Sequence, residues 1–122
     1  MGWSFNSNEP IYLQIVKEII ARIVNGILVP GQRLQSTRDL AVDAGVNLNT
    51  AQRAYSELEK RQVLMTKRGK GRFVVDDSEL LNRLKKEIVD KEVSVFAERV
   101  KSLGISFENV SEILKKHMTE VE

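Results

Sequence analysis

The sequence contains no cysteine among its 122 residues, which excludes disulfide bonds, thiolate metal ligands and cysteine nucleophiles together. The single histidine, His117, stands beside two lysines, with no nucleophile or metal-ligand partner at a recognisable spacing. The carboxylates are scattered among basic residues, which is typical of solvated helix faces. Gly69-Lys70-Gly71 is too short to be a phosphate-cradling loop. We therefore expect no catalytic site, no metal site and no cofactor, and a protein that is not an enzyme.

Long apolar runs are also lacking, since none approaches the roughly 20 residues that span a bilayer. The first residues lack the basic start and apolar stretch of a signal peptide. Asn6 stands where N-myristoylation requires Ser or Thr. These features predict a cytoplasmic protein with no membrane contact. Phe, Trp and Tyr total only seven residues, so aliphatic side chains must build the core.

The net charge of +2 is unevenly distributed. Residues 1–77 hold eleven Lys and Arg against eight Asp and Glu, whereas residues 78–122 hold eight against nine. Six basic residues and no acidic one lie between Lys60 and Arg72. Such a block is the electrostatic footprint of a nucleic-acid contact, although a solvated cationic face would look the same.

Helical periodicity begins near Glu9-Pro10. A helix can start there, since proline is tolerated in the first turn of a helix. Isoleucine then recurs at every fourth position from Ile11 to Ile23, which predicts a buried helical stripe. Gly26 marks the end of this helix, and Pro30-Gly31 makes the following turn.

Two further helices are predicted close together. Ser36 can accept a hydrogen bond from the amide of Asp39 and so open a short helix, which Gly45 ends as a left-handed cap. Asn47 can cap the next helix, from about Leu48 to Arg61. This order of elements is that of a helix-turn-helix.

A β-hairpin follows, with strands over 63–66 and 72–75 and a turn between them. A hairpin placed directly after the second helix of a helix-turn-helix is a wing. From Ser78 onward, helical spacing predicts a helix of about 25 residues, a break at Gly104 and a last helix over 106–118. We therefore predict a mostly α-helical fold with a small β-hairpin: a winged helix-turn-helix in residues 1–77, followed by a two-helix dimerisation segment in residues 78–122.

The second helix of a helix-turn-helix lies in the major groove, where residues of its first turn reach base edges. Asn and Gln can pair with adenine, Arg with guanine, and Thr with phosphate or a thymine methyl group. A polar helix face of any function could carry the same residue types, so the order of the elements makes the stronger argument. The predicted DNA-contacting residues of this helix are Asn47, Asn49, Thr50, Gln52 and Arg53.

Four residues outside that helix complete the predicted DNA contacts. Arg38 lies in the first turn of the preceding helix, where a phosphate could explain a cation that is otherwise unfavourable for the helix dipole. An ion pair with Asp39 or a solvated arginine is the alternative. Arg68 and Lys70 are predicted phosphate or minor-groove contacts, and Gly69 helps the wing tip to approach the backbone closely.

Several stretches together resemble the GntR family of bacterial regulators. The resemblance covers about residues 9–75 and implies a winged-helix DNA-binding domain with Arg38, the first turn of the second helix and the wing tip at DNA. It is carried by Pro10–Ile15, Gly26–Leu34, Ser36–Ala41, Gly45–Glu59 and Gly69–Val74.

Only 45 residues follow residue 77, and this short tail resembles the YtrA-type subfamily. The resemblance implies a homodimer that binds a near-palindromic operator as a repressor, in some members at a transporter operon. The tail could instead pack back on its own winged helix. A small-molecule effector would need a pocket that we do not identify in the sequence. The apolar stripe predicted to dimerise is Leu81, Leu84, Ile88 and Val95.

Three positions depart from the pattern of the family. Gln35 stands where proline is usual, Gln62 where glycine often ends the second helix, and Arg72 where threonine is common, adding charge beside the wing. A left-handed Gln62 would cost about 1 kcal/mol or more. The alternative function for the fold is a winged-helix module that binds protein or RNA.

Overall fold

The computed structural model describes residues 2–120, so Met1 and the last two residues of the predicted domains lie outside the described residues. It divides between Leu84 and Lys85 into two compact units. This division falls inside a helix, on the C-terminal side of the predicted boundary between residues 77 and 78. The elements are α1 (Ile11–Val24), α2 (Thr37–Ala44), α3 (Leu48–Lys60), β1 (Leu64–Lys67), β2 (Gly71–Val74), α4 (Ser78–Ser102) and α5 (Phe107–Glu120).

The predicted isoleucine stripe forms the buried face of α1. Pro10 precedes the helix, and its carbonyl accepts the amide hydrogens of Leu13 and Gln14. Each buried isoleucine contributes about 1.5–3 kcal/mol relative to an exposed one. Helix α1 packs on α3, which also contacts α2 and β1. The buried residues of α1 are Ile15, Val16, Ile19, Ile20 and Ile23.

The caps predicted for the helix-turn-helix are present. The Ser36 hydroxyl accepts the Asp39 amide at 3.0 Å, and the Asn47 side chain accepts the Thr50 amide at 2.8 Å. Gly45 ends α2 in the left-handed conformation, with φ of 70°. These contacts end one helix and begin the next within three residues, which fixes the turn between α2 and α3.

The wing is an antiparallel pair of strands in which Leu64 lies opposite Val74. The segment before α2 adds to its edge, because Leu34 donates to the Arg72 carbonyl and Gly31 to the Val74 carbonyl, both at 2.9 Å. Gln62 joins α3 to the wing with φ of 65°. The left-handed conformation considered for this non-glycine residue is therefore present.

The second unit contains most of α4 and all of α5. Gly104, with φ of 74°, follows the end of α4. The Ser106 hydroxyl then accepts the Asn109 amide at 3.2 Å and caps α5. No helix within residues 2–120 is both long and apolar enough to cross a membrane.

Tyr55 joins the core of the winged helix to the segment before α2. Its ring is buried on α3, with 2% of the residue exposed, and its hydroxyl donates to the Gln35 carbonyl at 2.7 Å. Burial raises the pKa of Tyr55 from 10.0 to about 12, although the nearby charge of Arg72 opposes the shift. The position where proline is usual thus supplies a carbonyl partner for a core tyrosine.

Tyr55 should make the winged helix less stable as the pH rises above 10. Above pH 10 an unfolded tyrosine loses its proton while the folded Tyr55 retains it, so the free energy of unfolding should fall by up to about 2–3 kcal/mol as the pH approaches 12. Urea denaturation followed by circular dichroism measures this fall. In Tyr55→Phe, the stability below pH 10 should be lower by about 1 kcal/mol because the hydrogen bond is lost. An equally steep alkaline fall in that variant would contradict the assignment to Tyr55.

Candidate nucleic-acid interface

Helix α3 has one buried face and one polar exposed face. Ala51, Ala54, Tyr55 and Leu58 are buried. The residues between them therefore point away from the core, because helix positions three or four apart share a face. All nine predicted DNA-contacting residues are exposed except Thr50, which is half-buried: Arg38, Asn47, Asn49, Thr50, Gln52, Arg53, Arg68, Gly69 and Lys70.

Arg53 lies against an aromatic ring of another helix. Its guanidinium carbon is 4.0 Å from the centre of the Tyr12 ring, a distance at which a cation is attracted by the face of the ring. Both residues line a crevice of about 340 Å³ that also includes Asn49 and Thr50. Tyr12 is absent from the residues predicted from the sequence, because the periodicity of α1 identifies its buried stripe and not what its half-buried ring contacts.

Gln52 is held from two sides. The Thr37 hydroxyl lies 3.3 Å from Gln52 Oε1, and Gln52 Nε2 lies 3.3 Å from the Ser56 hydroxyl. Thr37 is the first residue of α2. The amide of Gln52 therefore bridges the first helix of the helix-turn-helix to the next turn of α3, with its remaining hydrogen-bonding capacity on the exposed side.

Arg72 attaches the wing to the helices. Its Nε donates to Glu59 Oε1 at 2.9 Å, and its Nη1 donates to the Thr37 hydroxyl at 2.8 Å. Burial acts to raise the pKa of Glu59, but hydrogen bonds from Thr66 and Arg72 outweigh it and hold the pKa below its usual value. Arg72 thus places a charge beside the wing, and a carboxylate of α3 compensates it.

The basic block between residues 60 and 72 is partly neutralised in the same way. Arg61 pairs with Glu57 one turn earlier in α3, with 2.8 Å between Nε and Oε2. The hydrogen bond from Arg61 lowers the pKa of the Glu57 carboxyl. Within residues 2–120, Arg68 and Lys70 form no ion pair. The uncompensated charge of the block is therefore concentrated toward the tip of the wing.

Two glycines shape the tip of the wing. Gly69 has φ of 76° and Gly71 has φ of 113°, and the Lys70 amide donates to the Lys67 carbonyl at 2.8 Å. A Cβ atom on Gly71 would lie 3.1 Å from Nε of Arg33. The turn is tight because both glycines adopt conformations that other residues rarely do, and it leaves the Lys70 side chain exposed.

Arg38 is exposed in the first turn of α2. Within the described residues it forms no ion pair with Asp39, so that alternative for its presence does not hold. A cation at this end of a helix is unfavourable for the dipole unless an anion lies nearby.

The residues predicted to dimerise differ in their exposure. Leu81 is buried within one chain at 8% exposure, Leu84 and Ile88 are half-buried, and Val95 is 44% exposed. Leu81 therefore presents little surface to a second copy. Most of the large apolar side chains exposed in residues 85–120 do not belong to the stripe predicted to dimerise. Those outside the stripe are Val89, Val93, Phe96, Leu103, Phe107, Ile113, Leu114 and Met118.

Comparison with known proteins gives the family of the winged helix and of the whole chain. Residues 11–74 match the bacterial regulatory proteins of the gntR family. The chain is 39% identical over 115 residues to YhcF, an HTH-type transcriptional regulator of Bacillus subtilis, covering 94% of this chain and 95% of that one. It is 30% identical over 123 residues to the HTH-type transcriptional repressor YtrA of the same organism, covering 95% and 90%.

Solved structures agree in fold. A GntR family transcriptional regulator from Listeria monocytogenes superposes with a TM-score of 0.86 at 37% identity, covering 92% of this chain and 98% of that one. The DNA-binding domain of AraR in complex with operator ORX1 superposes with a TM-score of 0.56 at 26% identity, covering 62% and 99%. The predicted family and winged-helix fold are confirmed. This chain belongs to the GntR family of bacterial transcriptional regulators, which bind DNA through a helix-turn-helix and are not enzymes.

Proposed function

We propose that this regulator is a repressor that binds a near-palindromic operator as a homodimer and reads its bases with the first turns of α3. The observation that carries the proposal is the exposure of Asn49, Gln52 and Arg53 on the face of α3 opposite the core. A helix presented in this way can enter the major groove, where amide side chains pair with adenine and arginine with guanine.

Base reading would be divided among four side chains. Asn49 and Gln52 present amides, Arg53 a guanidinium, and Thr50 a hydroxyl and a methyl group. Asn47 already uses one acceptor site of its side-chain oxygen to cap α3, which holds this side chain at the start of the helix. Asn47 therefore contributes to reading chiefly by fixing where α3 begins.

Phosphate contacts would come from three cations around this helix. Arg68 and Lys70 carry the uncompensated charge of the wing, and Arg38 lies at the start of α2 beside its amide hydrogens. Neutralising phosphates releases counterions, which gives affinity without sequence preference. Gly69 supports this role because a tip without a side chain approaches the backbone closely.

Dimerisation would use the second unit. Eight large apolar side chains between Val89 and Met118 are exposed, in addition to Val95, and exposed apolar surface of this kind marks an interaction site. A second copy is the occupant we propose, with Val95 and Ile88 contributing and Leu81 and Leu84 supporting the start of α4. Residues 1–77 would then form the DNA-binding part and residues 78–122 the dimerisation segment.

Repression, the target and the location rest on the relatives and the resemblance. YtrA of Bacillus subtilis is named a transcriptional repressor. The resemblance to its subfamily implies that this chain controls a transporter operon and that it acts in the cytoplasm of a bacterium. A dimer on its operator would exclude RNA polymerase from overlapping DNA. The proposal includes a small-molecule effector that releases the DNA, and we assign it no site.

The DNA assignment predicts different effects for reading and phosphate-contacting residues. Gln52→Ala should reduce discrimination between base pairs at one position by about 5- to 150-fold. Lys70→Ala should weaken binding to every duplex alike and make the slope of log affinity against log salt shallower by about 0.9 for each phosphate that Lys70 neutralises. Fluorescence anisotropy with a selected operator and its single-base variants measures both effects.

Lys115→Ala removes the same charge from α5 and serves as the control for net charge, with binding and salt slope unchanged. Tighter binding to structured RNA than to any duplex, or base preferences unaltered by Gln52→Ala, would contradict the proposal.

The dimer assignment predicts a monomer when the apolar face of the second unit is charged. Phe96 is 43% exposed, and Phe96→Glu would bury an uncompensated carboxylate in the proposed interface, which is costly. Sedimentation at micromolar concentration should show a dimer for the natural chain and a monomer for this variant.

Ser94→Glu adds the same charge to an exposed position of α4 and should leave the dimer intact. Circular dichroism confirms that the helices are retained in both variants. A monomer in the natural chain with residues 78–122 intact would overturn the dimer.

A further inference from the structure

A chain of hydrogen bonds runs from the wing to the exposed face of α3. Arg72 Nη1 donates to the Thr37 hydroxyl at 2.8 Å, Thr37 Oγ1 lies 3.3 Å from Gln52 Oε1, and Gln52 Nε2 lies 3.3 Å from Ser56 Oγ. The chain joins three elements, since Arg72 lies on β2, Thr37 on α2 and Gln52 on α3.

The chemistry of Arg72 sets the direction of the first bond in this chain. A guanidinium has no acceptor, so Arg72 must donate and the Thr37 oxygen must accept. The single hydroxyl proton of Thr37 is then available for Gln52, whose oxygen accepts it. In the structure the amide of Gln52 lies accordingly, with its oxygen toward Thr37 of α2 and its nitrogen toward Ser56.

This orientation leaves one acceptor site on Gln52 Oε1 and one N–H of Nε2 for DNA. Adenine offers the complementary pair in the major groove, with N6–H as donor and N7 as acceptor. A rotated amide would present the same groups in reverse order. The bonds from Thr37 and to Ser56 therefore select which order faces the groove.

We propose that Arg72 and Thr37 are positioning residues that hold the amide of Gln52 for base reading, so that the anchored wing contributes to specificity as well as to affinity. The inference rests on the proposed function, because it needs Gln52 to face a base. It assigns Arg72 a role distinct from that of the wing-tip cations, which reach phosphate by charge.

Arg72 is itself firmly held, which is what a positioning residue requires. Its side chain is 21% exposed, and its Nε donates to Glu59, which also accepts from the Thr66 hydroxyl. The guanidinium carbon lies 5.0 Å from the centre of the Tyr55 ring. Two separate donors in a rigid fork serve Glu59 and Thr37 at the same time, which a lysine ammonium does not do with the same geometry.

Thr37 provides the cleanest test because its substitution changes no charge. Thr37→Val replaces the hydroxyl by a methyl group, and Thr37→Ser retains the hydroxyl. We expect Thr37→Val to lower discrimination at the base pair read by Gln52 by about two- to tenfold, the usual cost of ordering a long side chain. Thr37→Ser should discriminate as the natural protein does, and both variants should bind a randomised duplex equally well.

Arg72 is tested against a matched arginine of the same basic block. Arg72→Met and Arg61→Met each remove one charge and leave one carboxylate without its arginine, but only Arg72 contacts Thr37. Both variants should lose affinity for all duplexes to a similar extent. Only Arg72→Met should also lose discrimination at the Gln52 position.

A double-mutant cycle shows whether the effect passes through Gln52. In a Gln52→Ala background, Thr37→Val and Arg72→Met should cause no further loss of discrimination, because the side chain they position is absent. An additive further loss would overturn the positioning role.

A measurement without DNA separates this inference from the proposed function. The NMR order parameter of the Gln52 side-chain amide in the free protein should fall in Thr37→Val and Arg72→Met, and stay unchanged in Thr37→Ser and Arg61→Met. An unchanged order parameter, or full discrimination by Thr37→Val where Gln52→Ala loses it, overturns the inference alone. Base preferences unaffected by Gln52→Ala overturn the proposed reading by Gln52, and the positioning role with it.

Discussion

The burial of one face of α3 is the constraint on which the rest of the winged helix depends. Ala51 and Ala54 are fully buried, so α1 and the wing strand approach α3 closely, and Tyr55 and Leu58 complete the same face. Once this face is fixed, the period of the helix leaves the opposite face in solvent. The polar residues proposed to read DNA are thus presented by the same packing that stabilises the domain.

Electrostatics in this domain separates structural cations from those left for a partner. Arg72 and Arg61 lie in the basic block, but each is held by a glutamate of α3. Lys70, at the tip of the wing, has no such partner within the described residues. A count of charges along the chain therefore overstates what is offered to phosphate, because ion pairs within the fold consume part of it.

The departures from the family's usual residues have structural consequences of different kinds. Gln62 adopts a left-handed conformation with φ of 65°, a strain of about 1 kcal/mol that the surrounding packing must offset. Gln35 supplies a carbonyl for the Tyr55 hydroxyl, an interaction that does not depend on its side chain. At position 72 arginine replaces the smaller threonine, and its guanidinium links the wing to α3 and α2.

The sequence by itself determined the elements and their caps, because these depend on neighbours within a few residues. The bonds of Ser36 and Asn47 to nearby amides, and the left-handed Gly45, are local and were predicted together with the fold. Only the tertiary structure decided the partners of Arg72 and Arg53. Arg72 contacts Thr37, 35 residues earlier in the chain, and Arg53 contacts Tyr12, 41 residues earlier. The tertiary structure also decided how much of the apolar stripe in α4 is exposed. Contacts at such separations depend on how helices pack, and no local pattern encodes that packing.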